Sequence, residues 1–413
     1  MIRSNESTGL TGRPPSTLVT VDGRDGSSAN QAVFVSVLAV LLATGWAANH
    51  FAALMPVITN SQHLCVATID AIFGIYAIGL LPGLLIGGRA SDALGRQSVA
   101  WSGSTIALAG TLVMLLSQHS DALLAGRFIL GAGVGLAISA CTAWASDLKG
   151  PAGAATAGAV LIAGFAVGPF AAGVIASAGP PGVRVSFGLA ANILLLAMVI
   201  AVVTAHRTAV TTSARERNSA PSTSARLSAA RALSWAIPLA PWVFASGTLG
   251  FVTIPTRLHT GLAAPLAAGT AALVVNGSSG LIQVVARSRG WGPQSGTVAA
   301  LLAALGYAVA AATPSSMTLA LGLPLLPILG CASGLSLRAG LIDLETSAPQ
   351  RVRGTLTGVF YAVTYIGFGL PLLLTTLGSA KQSAMILAVM AVLAAGTAIS
   401  RAVRLRRDSL RQR

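Results

Sequence analysis

The chain has 413 residues, of which 54% are hydrophobic and 9% are charged, and its formal net charge is +15. Soluble globular proteins carry roughly 25% charged residues, so this chain has too little polar surface to cover a fold in water. The composition argues against a soluble enzyme, a fibrous protein and a disordered chain, and it predicts an integral membrane protein.

Apolar windows without charge predict the membrane spans, because a crossing helix needs about 20 apolar residues. Eleven such windows lie between residues 26 and 400. The window at 290–337 holds 48 residues, too many for one helix, and it is interrupted by Thr313-Pro314-Ser315-Ser316. The sequence therefore predicts an all-α protein with twelve transmembrane helices.

The distribution of basic residues predicts the orientation, since Lys and Arg are retained on the cytoplasmic side. With both termini inside, 22 basic residues face the cytoplasm, and only Arg184, Arg257 and Lys381 lie at outer ends of spans. Residues 1–30 are polar and lack the apolar segment of a cleavable signal peptide. We expect a multi-pass plasma-membrane protein whose termini are both cytoplasmic.

A polar segment at 206–233, rich in Ser, Thr, Ala and Arg, divides the predicted spans into two groups of six. We expect a cytoplasmic linker there, with a short helix across 224–232 on the membrane surface. The flanking bundles are predicted at 31–205 and 234–402. Residues 1–30 and the basic tail at 403–413 are expected to be disordered on the cytoplasmic side.

The two halves share a sequence repeat. Residues 129–136 (ILGAGVGL) and 328–335 (ILGCASGL) are identical at five of eight positions, at an offset of 199 residues. The loop that ends at Gly95, after span 2, also has a counterpart that ends at Gly290, after span 8. The repeat indicates an internal duplication and hence two pseudo-symmetric six-helix bundles.

Span 2 is followed by a loop in which two glycines flank an acid and a base follows the second glycine, as in a tight cytoplasmic turn. An acid there can face the positive end of a neighbouring helix, and a base can pair with the acid or with lipid headgroups. The residues of this loop motif are Gly88, Asp92, Gly95 and Arg96.

Three patterns in this order resemble the major facilitator superfamily. The loop motif resembles the superfamily's signature between helices 2 and 3. Arg127, followed by small residues at 131, 133 and 135, resembles its fourth-helix pattern. The third pattern, in span 5, is similar to the signature of the twelve-helix drug/proton antiporter branch and consists of Gly164, Gly168, Pro169 and Gly173.

This chain departs from the superfamily pattern at several positions. Ala93 and Gln97 stand where the loop signature has basic residues, and Arg287 stands where an Asp would align in the second half. The resemblance implies that spans 1, 4, 7 and 10 line a central cavity. It also implies that the loop motif acts as a conformational switch and that the bundles rock to give alternating access.

Three ionisable residues in the predicted spans are candidates for proton coupling: Arg127, Asp70 and His50. A charge within the bilayer is costly unless it is paired or hydrated, so such residues usually carry function. The competing interpretation is a static Asp70–Arg127 pair that only stabilises the bundle.

Further polar residues lie within the predicted spans. Trp46 and Asn49 share one helical face with His50, and Asn276 lies near the middle of span 8. They are candidates for lining the substrate cavity, and interhelical hydrogen bonding is the open alternative. The span 5 glycines have a similar alternative, which is close helix packing.

We expect a secondary active transporter that couples proton entry to the efflux of a small, mostly apolar compound. Alternatives are a symporter that imports a small neutral nutrient and, from other classes, a membrane-embedded enzyme or a receptor. No catalytic set, cofactor motif or metal-ligand cluster is recognisable, and Cys65, Cys141 and Cys331 are far apart. The expected partners are substrate, protons and membrane lipid, without nucleic acid, and the expected state is a monomer.

Overall fold

The computed structural model describes residues 23–206, 223–347, 353–377 and 379–411. Within them, twelve helical spans are long and apolar enough to cross a membrane, as the sequence predicts. The regular spans are span 2 (Val66–Leu94), span 3 (Arg96–Leu116), span 6 (Pro180–His206), span 8 (Ala264–Ser288), span 9 (Ser295–Ala312), span 10 (Leu319–Ser347) and span 12 (Ala380–Arg411).

Spans 4 and 5 form one helical stretch, Ser120–Ala176, which bends at Lys149 and Gly150, where the backbone is not helical. Spans 1, 7 and 11 are irregular. Their segments are Gly23–Asn49 and Phe51–Ser61 in span 1; Thr223–Ala236, the 3₁₀ turn Ile237–Leu239, Ala240–Thr248, the π turn Leu249–Thr253 and Ile254–Arg257 in span 7; and Arg353–Tyr365, the 3₁₀ turn Ile366–Gly369 and Leu370–Thr376 in span 11.

These irregularities have local causes. Pro255 and Pro371 each remove a backbone donor within a span, and such sites commonly bend a helix or shift its hydrogen-bond pattern. The predicted break within 290–337 is confirmed, since the helices on either side end at Ala312 and begin at Leu319.

Helix contacts repeat between the halves at the offset of 199 residues. Gly131 and Gly135 of span 4 lie so close to the carbonyls of Tyr76 and Leu80 in span 2 that a Cβ atom would not fit. In the second half, Gly330 and Gly334 of span 10 lie equally close to the carbonyls of Val275 and Ser279 in span 8. Each of these four residues is 199 positions after its counterpart, so the two bundles share one packing scheme.

The same offset relates spans 1 and 5 to spans 7 and 11. Gly168 packs against the backbone of Trp46, and Gly367 packs against the backbone of Ala245. Close approach of this kind requires a residue without a side chain, as in membrane helices generally. The fold is therefore two pseudo-symmetric six-helix bundles.

The expectation of disorder through residue 30 is wrong for residues 23–30, because span 1 begins at Gly23. Residues 403–411 of the basic tail are likewise helical, since span 12 continues to Arg411. Once a helix is nucleated by its apolar part, each further residue adds a backbone hydrogen bond at little cost. Residues 1–22 and 412–413 lie outside the described residues.

The last part of the segment predicted as a linker, 223–233, belongs to the helix of span 7. A helix begins at Thr223 and continues into span 7, instead of a separate surface helix across 224–232. Its buried residues Ala232 and Ala236 pack with Leu344 of span 10 and Phe360 of span 11, which explains why the helix joins the bundle. Residues 207–222 lie outside the described part of the chain.

Candidate functional site

The spans run between two opposite ends of the molecule. The terminal face is the end at which span 1 begins and span 12 ends, and the opposite face holds the loops that follow the odd-numbered spans. At the opposite face the two bundles touch. Thr375 of span 11 donates a hydrogen bond of 3.0 Å to the carboxylate of Asp70 in span 2.

The bundles also meet between spans 5 and 8 at the opposite face. Gly173 lies against the carbonyl of Pro265, and Gly269 lies against the carbonyl of Pro169. Backbones in such close contact exclude a side chain between them. The Asp70–Thr375 contact and the span 5–span 8 contact therefore both help to close the opposite face between the bundles.

Arg127 of span 4 is completely buried. Its guanidinium donates to the backbone carbonyls of Ala48, at 2.8 Å, and Phe73, at 3.2 Å. The guanidinium carbon also lies 4.8 Å from the ring centre of Phe51 and 4.5 Å from that of Tyr76, within the range of cation–π attraction. The cation is thus held by carbonyl dipoles and aromatic faces from spans 1 and 2.

Three buried polar atoms in this region have no hydrogen-bond partner: Nε of Arg127, Nε2 of His50 and the hydroxyl of Tyr76. His50 directs its Nδ1 to the carbonyls of Trp46 and Ala47, at 3.2 and 3.0 Å, and packs edge-on against Phe187. An unpaired buried donor or acceptor is costly unless a water or ligand pairs with it. The first bundle therefore contains buried polar groups whose hydrogen bonds are not all made within the protein.

The static Asp70–Arg127 pair is not formed. Among the ion pairs of the described residues none joins these two side chains, and Asp70 instead bonds to Thr375 of the second bundle. The carbonyls of Ala48 and Phe73 take the place that the carboxylate would fill beside Arg127. That interpretation is corrected: the acid contacts the other bundle, and the base stays inside its own.

Two of the three cavity candidates converge on one atom. Asn49 of span 1 and Asn276 of span 8 both donate to the carbonyl oxygen of Phe165 in span 5, at 2.9 and 3.3 Å. Trp46 is half-buried and packs on Gly168, one turn further along span 5. Two amides from different bundles therefore meet at span 5, beside its glycine motif.

The span 5 glycines make close contacts along their helix. Gly164 packs on span 1, where a Cβ atom on Gly164 would lie only 3.0 Å from the Cα of Gly45, and Gly168 packs on Trp46. Gly173 packs on span 8 of the other bundle. The packing interpretation holds for all three, and one of them lies at the interface between the bundles.

The loop motif forms a charge network inside the first bundle. Gly95, with a φ of 91°, separates spans 2 and 3, and Arg96 follows it as the first residue of span 3. Arg96 pairs with Asp92 at 2.6 Å, with Asp147 of span 4 at 2.8 Å, and with the hydroxyl of Ser91. Gly88 has open space where a side chain would lie, so no packing contact explains it.

Sequence reasoning missed an aromatic cluster that joins the two bundles. Phe73 of span 2 stacks on Phe368 of span 11 at 5.3 Å and lies edge-on to Phe251 of span 7 at 6.3 Å. The interface aromatic cluster consists of Phe73, Tyr76, Phe244, Phe251, Tyr365 and Phe368. The sequence carried one sign of this cluster: two aromatic residues, Phe73 and Tyr76, follow Asp70 at three-residue spacing, in a chain that is only 5% aromatic.

Asp147 and Thr375, the partners of Arg96 and Asp70, were also missed. Neither residue belongs to a recognisable motif, and each lies far along the chain from the residue it binds. Within the described residues, no three His, Cys, Asp or Glu side chains group closely enough to hold a metal ion.

Comparison with known proteins agrees with this architecture. A family model described as Major Facilitator Superfamily matches residues 35–371. The chain is 29% identical over 147 residues to solute carrier family 2, facilitated glucose transporter member 10, of Mus musculus, which covers 35% of this chain and 27% of that protein. It is 31% identical over 81 residues to the multidrug resistance protein MdtL of Shigella flexneri, 20% of this chain and 21% of that one.

Both relatives are thus matched over about a quarter of their own lengths. Solved structures match over nearly the whole chain. A peptide transporter POT in complex with sulfate has a TM-score of 0.71 at 14% identity, covering 90% of this chain and 94% of that one. A POT family transporter in complex with a thioalcohol-conjugated peptide has a TM-score of 0.73 at 12% identity, covering 93% and 96%. Such identities speak for the fold alone, but the family model spans most of the chain: the protein is a multi-pass membrane protein and belongs to the Major Facilitator Superfamily.

Proposed function

We propose that this transporter exports small, mostly apolar compounds in exchange for protons by alternating access. The observation that carries the proposal is Arg127, a completely buried cation held by carbonyls and rings beside the interface aromatic cluster. A charge in this position is costly unless it is paired or hydrated, so its free energy depends on whether water reaches it. A conformational change that admits water therefore changes the energy of this site.

The surroundings of Arg127 support proton coupling. The unpartnered Nε2 of His50 can accept a proton, and the unpartnered atoms of Tyr76 and Arg127 can each hydrogen-bond to a water. Asp70 lies at the closed opposite face, where separation from Thr375 would expose its carboxylate. With the termini in the cytoplasm, that face is the exterior, the side from which an exporter takes up protons.

The interface between the bundles supports an apolar substrate. Six aromatic rings meet there, and aromatic faces bind flat apolar molecules without demanding charge. Pro169 and Gly173, two residues of the antiporter-like motif of span 5, also contact span 8 of the other bundle. Proton and substrate must favour opposite states for exchange to occur, and both proposed sites border the same interface.

A second candidate is proton symport of a small neutral nutrient. Asn49 and Asn276 favour it, because their two amides converge from different bundles and amides can bind hydroxyl groups. The local similarity to a facilitated glucose transporter points the same way.

Flux in proteoliposomes tests these candidates. Vesicles with an imposed proton gradient would be presented with a panel of apolar dyes and neutral sugars, with protein-free liposomes as the control. Movement of an apolar compound against the direction of proton flow supports antiport. Movement of a sugar along with protons supports symport, and movement of neither contradicts both.

A further inference from the structure

A cavity at the terminal face lies within the second bundle, away from the interface between the bundles. It has a volume of about 410 Å³, within the range of about 300–1,000 Å³ that is usual for small-molecule sites, and it opens to the surface. It is formed where spans 7, 10 and 12 and the loop before span 9 come together. Its lining residues include Trp235, Pro293, Asp343 and Leu405.

The charge around this cavity is positive. Arg231 lines both the cavity and a smaller recess of about 200 Å³ that adjoins it. Arg404 and Arg407 line the recess, and Arg401 lies behind them. The carboxylates there are Asp343 and Asp408. Three arginines against two aspartates leave the lining of the cavity and the recess together with a net charge of +1.

The carboxylate of Asp343 is already occupied. Arg401, only 1% exposed, donates to it at 2.8 Å and to the carbonyl of Trp235 at 2.8 Å. Asp408 is 4.0 Å from Arg231 and both side chains are largely exposed, so this pair is weak. The acids therefore do not neutralise the arginines that face the opening.

Arg404 is positioned to present its remaining donors. Its guanidinium lies 4.2 Å from the ring centre of Trp235 and donates to the carbonyl and hydroxyl oxygens of Ser234, at 2.8 and 2.9 Å. These bonds use two of its five N–H groups. Guanidinium forks of this kind match the geometry of phosphate oxygens.

The surroundings place the cavity at the level of lipid headgroups. Trp is enriched at the membrane–water interface, and Trp235 lies at the edge of the cavity. On span 12, Ile399 and Val403 are 63% and 42% exposed just before the arginines, as expected for a helix leaving the hydrocarbon core. Basic pockets between helices at this level bind anionic headgroups.

We infer that the recess beside this cavity binds the phosphate headgroup of an anionic phospholipid, held by Arg404 over the Trp235 ring and by Arg407. The lipid contacts spans 7 and 12 together and ties the end of the second bundle to its leaflet. This site is separate from the proposed substrate pathway.

Native mass spectrometry of the purified full-length protein tests the inference. The protein in detergent is titrated with dioleoyl phosphatidylglycerol, with dioleoyl phosphatidylcholine as the zwitterionic lipid with the same tails, and with glycerol phosphate as the soluble headgroup. We expect phosphatidylglycerol to be retained preferentially. Arg404→Gln and Arg407→Gln should each weaken its binding about fivefold, the effect of one basic residue near an anionic lipid.

Arg406→Gln is the matched control, because it removes the same charge from the same helix at a residue that does not line the cavity. It should leave the lipid preference unchanged. Arg407→Gln decides the matter if Arg404→Gln fails to fold, since Arg407 is exposed. Equal retention of the two lipids, equal effects of all three substitutions, or binding of glycerol phosphate without a lipid preference would each overturn the inference.

Discussion

Asp70 of the first bundle accepts a hydrogen bond from Thr375 of the second, 305 residues further along the chain. Asp70 is nearly completely buried, with 3% of its surface exposed. A charge-assisted bond in such a position holds the two bundles together at the opposite face and links closure of that face to the ionisation of one carboxylate.

Thr375→Val should favour opening of the opposite face. Loss of a hydrogen bond to a charged group typically costs about 1.5–3 kcal/mol, enough to shift the equilibrium between closed and open states by about tenfold or more. Distances between spin labels at His63 and Lys381, both exposed at that face, report the opening. Thr376→Val is the control, because Thr376 is exposed and lies next to Thr375. Equal distance distributions in both variants would show that the contact does not hold the face closed.

Arg127→Gln should abolish proton-driven flux while substrate counterflow continues. Glutamine can still donate to one of the carbonyls of Ala48 and Phe73, but it removes the charge from the buried pocket. His50→Gln and Asp70→Asn should behave in the same way if those residues take part in coupling. Arg184→Gln, at an exposed residue, is the matched control. Loss of driven flux and counterflow together in all three variants would make these residues structural.

Gly168→Leu should abolish transport, because a Cβ atom on Gly168 would already lie 2.9 Å from the Cα of Trp46. Overpacking of this kind typically costs about 1–3 kcal/mol, and here it would push span 5 away from span 1. Gly158→Leu, on the same helix with open space around it, should transport normally. Flux assays on both variants at matched expression provide the measurement, and normal flux with Gly168→Leu would mean that spans 1 and 5 separate without consequence.

Asp92→Asn should reduce the transport rate but leave membrane insertion and substrate affinity largely intact. Asp92 pairs with Arg96 across the turn at Gly95, at a partly exposed site where such pairs typically contribute only about 0.2–1 kcal/mol to stability. A large effect on flux would therefore come from the conformational switch and not from unfolding. Expression level, substrate binding and flux are compared in one preparation. Reduced expression with normal activity per molecule would instead identify a folding residue.

Cys65 should react with a membrane-impermeant maleimide from outside the cell. It is exposed in the loop between spans 1 and 2, on the side that the charge distribution predicts to be exterior. Hydrogen bonds from the hydroxyl and backbone amide of Thr68 lower the pKa of the Cys65 thiol, so more thiolate is present at a given pH than for an ordinary cysteine.

Thr68→Val should raise that pKa towards its ordinary value and slow labelling at pH values below it. The rate of labelling is measured against pH in intact cells, with Cys65→Ser as the control, since Cys141 is buried and Cys331 is half-buried. Labelling of Cys65 only after the membrane is permeabilised would show that the predicted orientation is inverted.

The sequence alone was sufficient to predict the twelve spans, the interruption near Pro314 and the duplication. Each of these depends on local hydropathy or on similarity between two segments, and neither requires knowledge of packing. The offset of 199 residues even holds for contacts that the sequence comparison did not include, such as Gly367 with Ala245. The loop motif left Arg96 either the acid or lipid headgroups as partner, and the structure pairs it with Asp92 across the turn at Gly95.

Only the tertiary structure decided the partners of the buried charges. Asp70 and Arg127 lie in the same bundle and have opposite charges, yet Asp70 bonds to Thr375 and Arg127 to the carbonyls of Ala48 and Phe73. The hydropathy pattern also did not predict the irregular backbone within spans 1, 7 and 11. It did not predict that the tail is helical either. Hydropathy places a residue at a depth in the membrane, but the rotation and contact of each helix depend on how all twelve pack, and that packing selects the partner of each buried polar group.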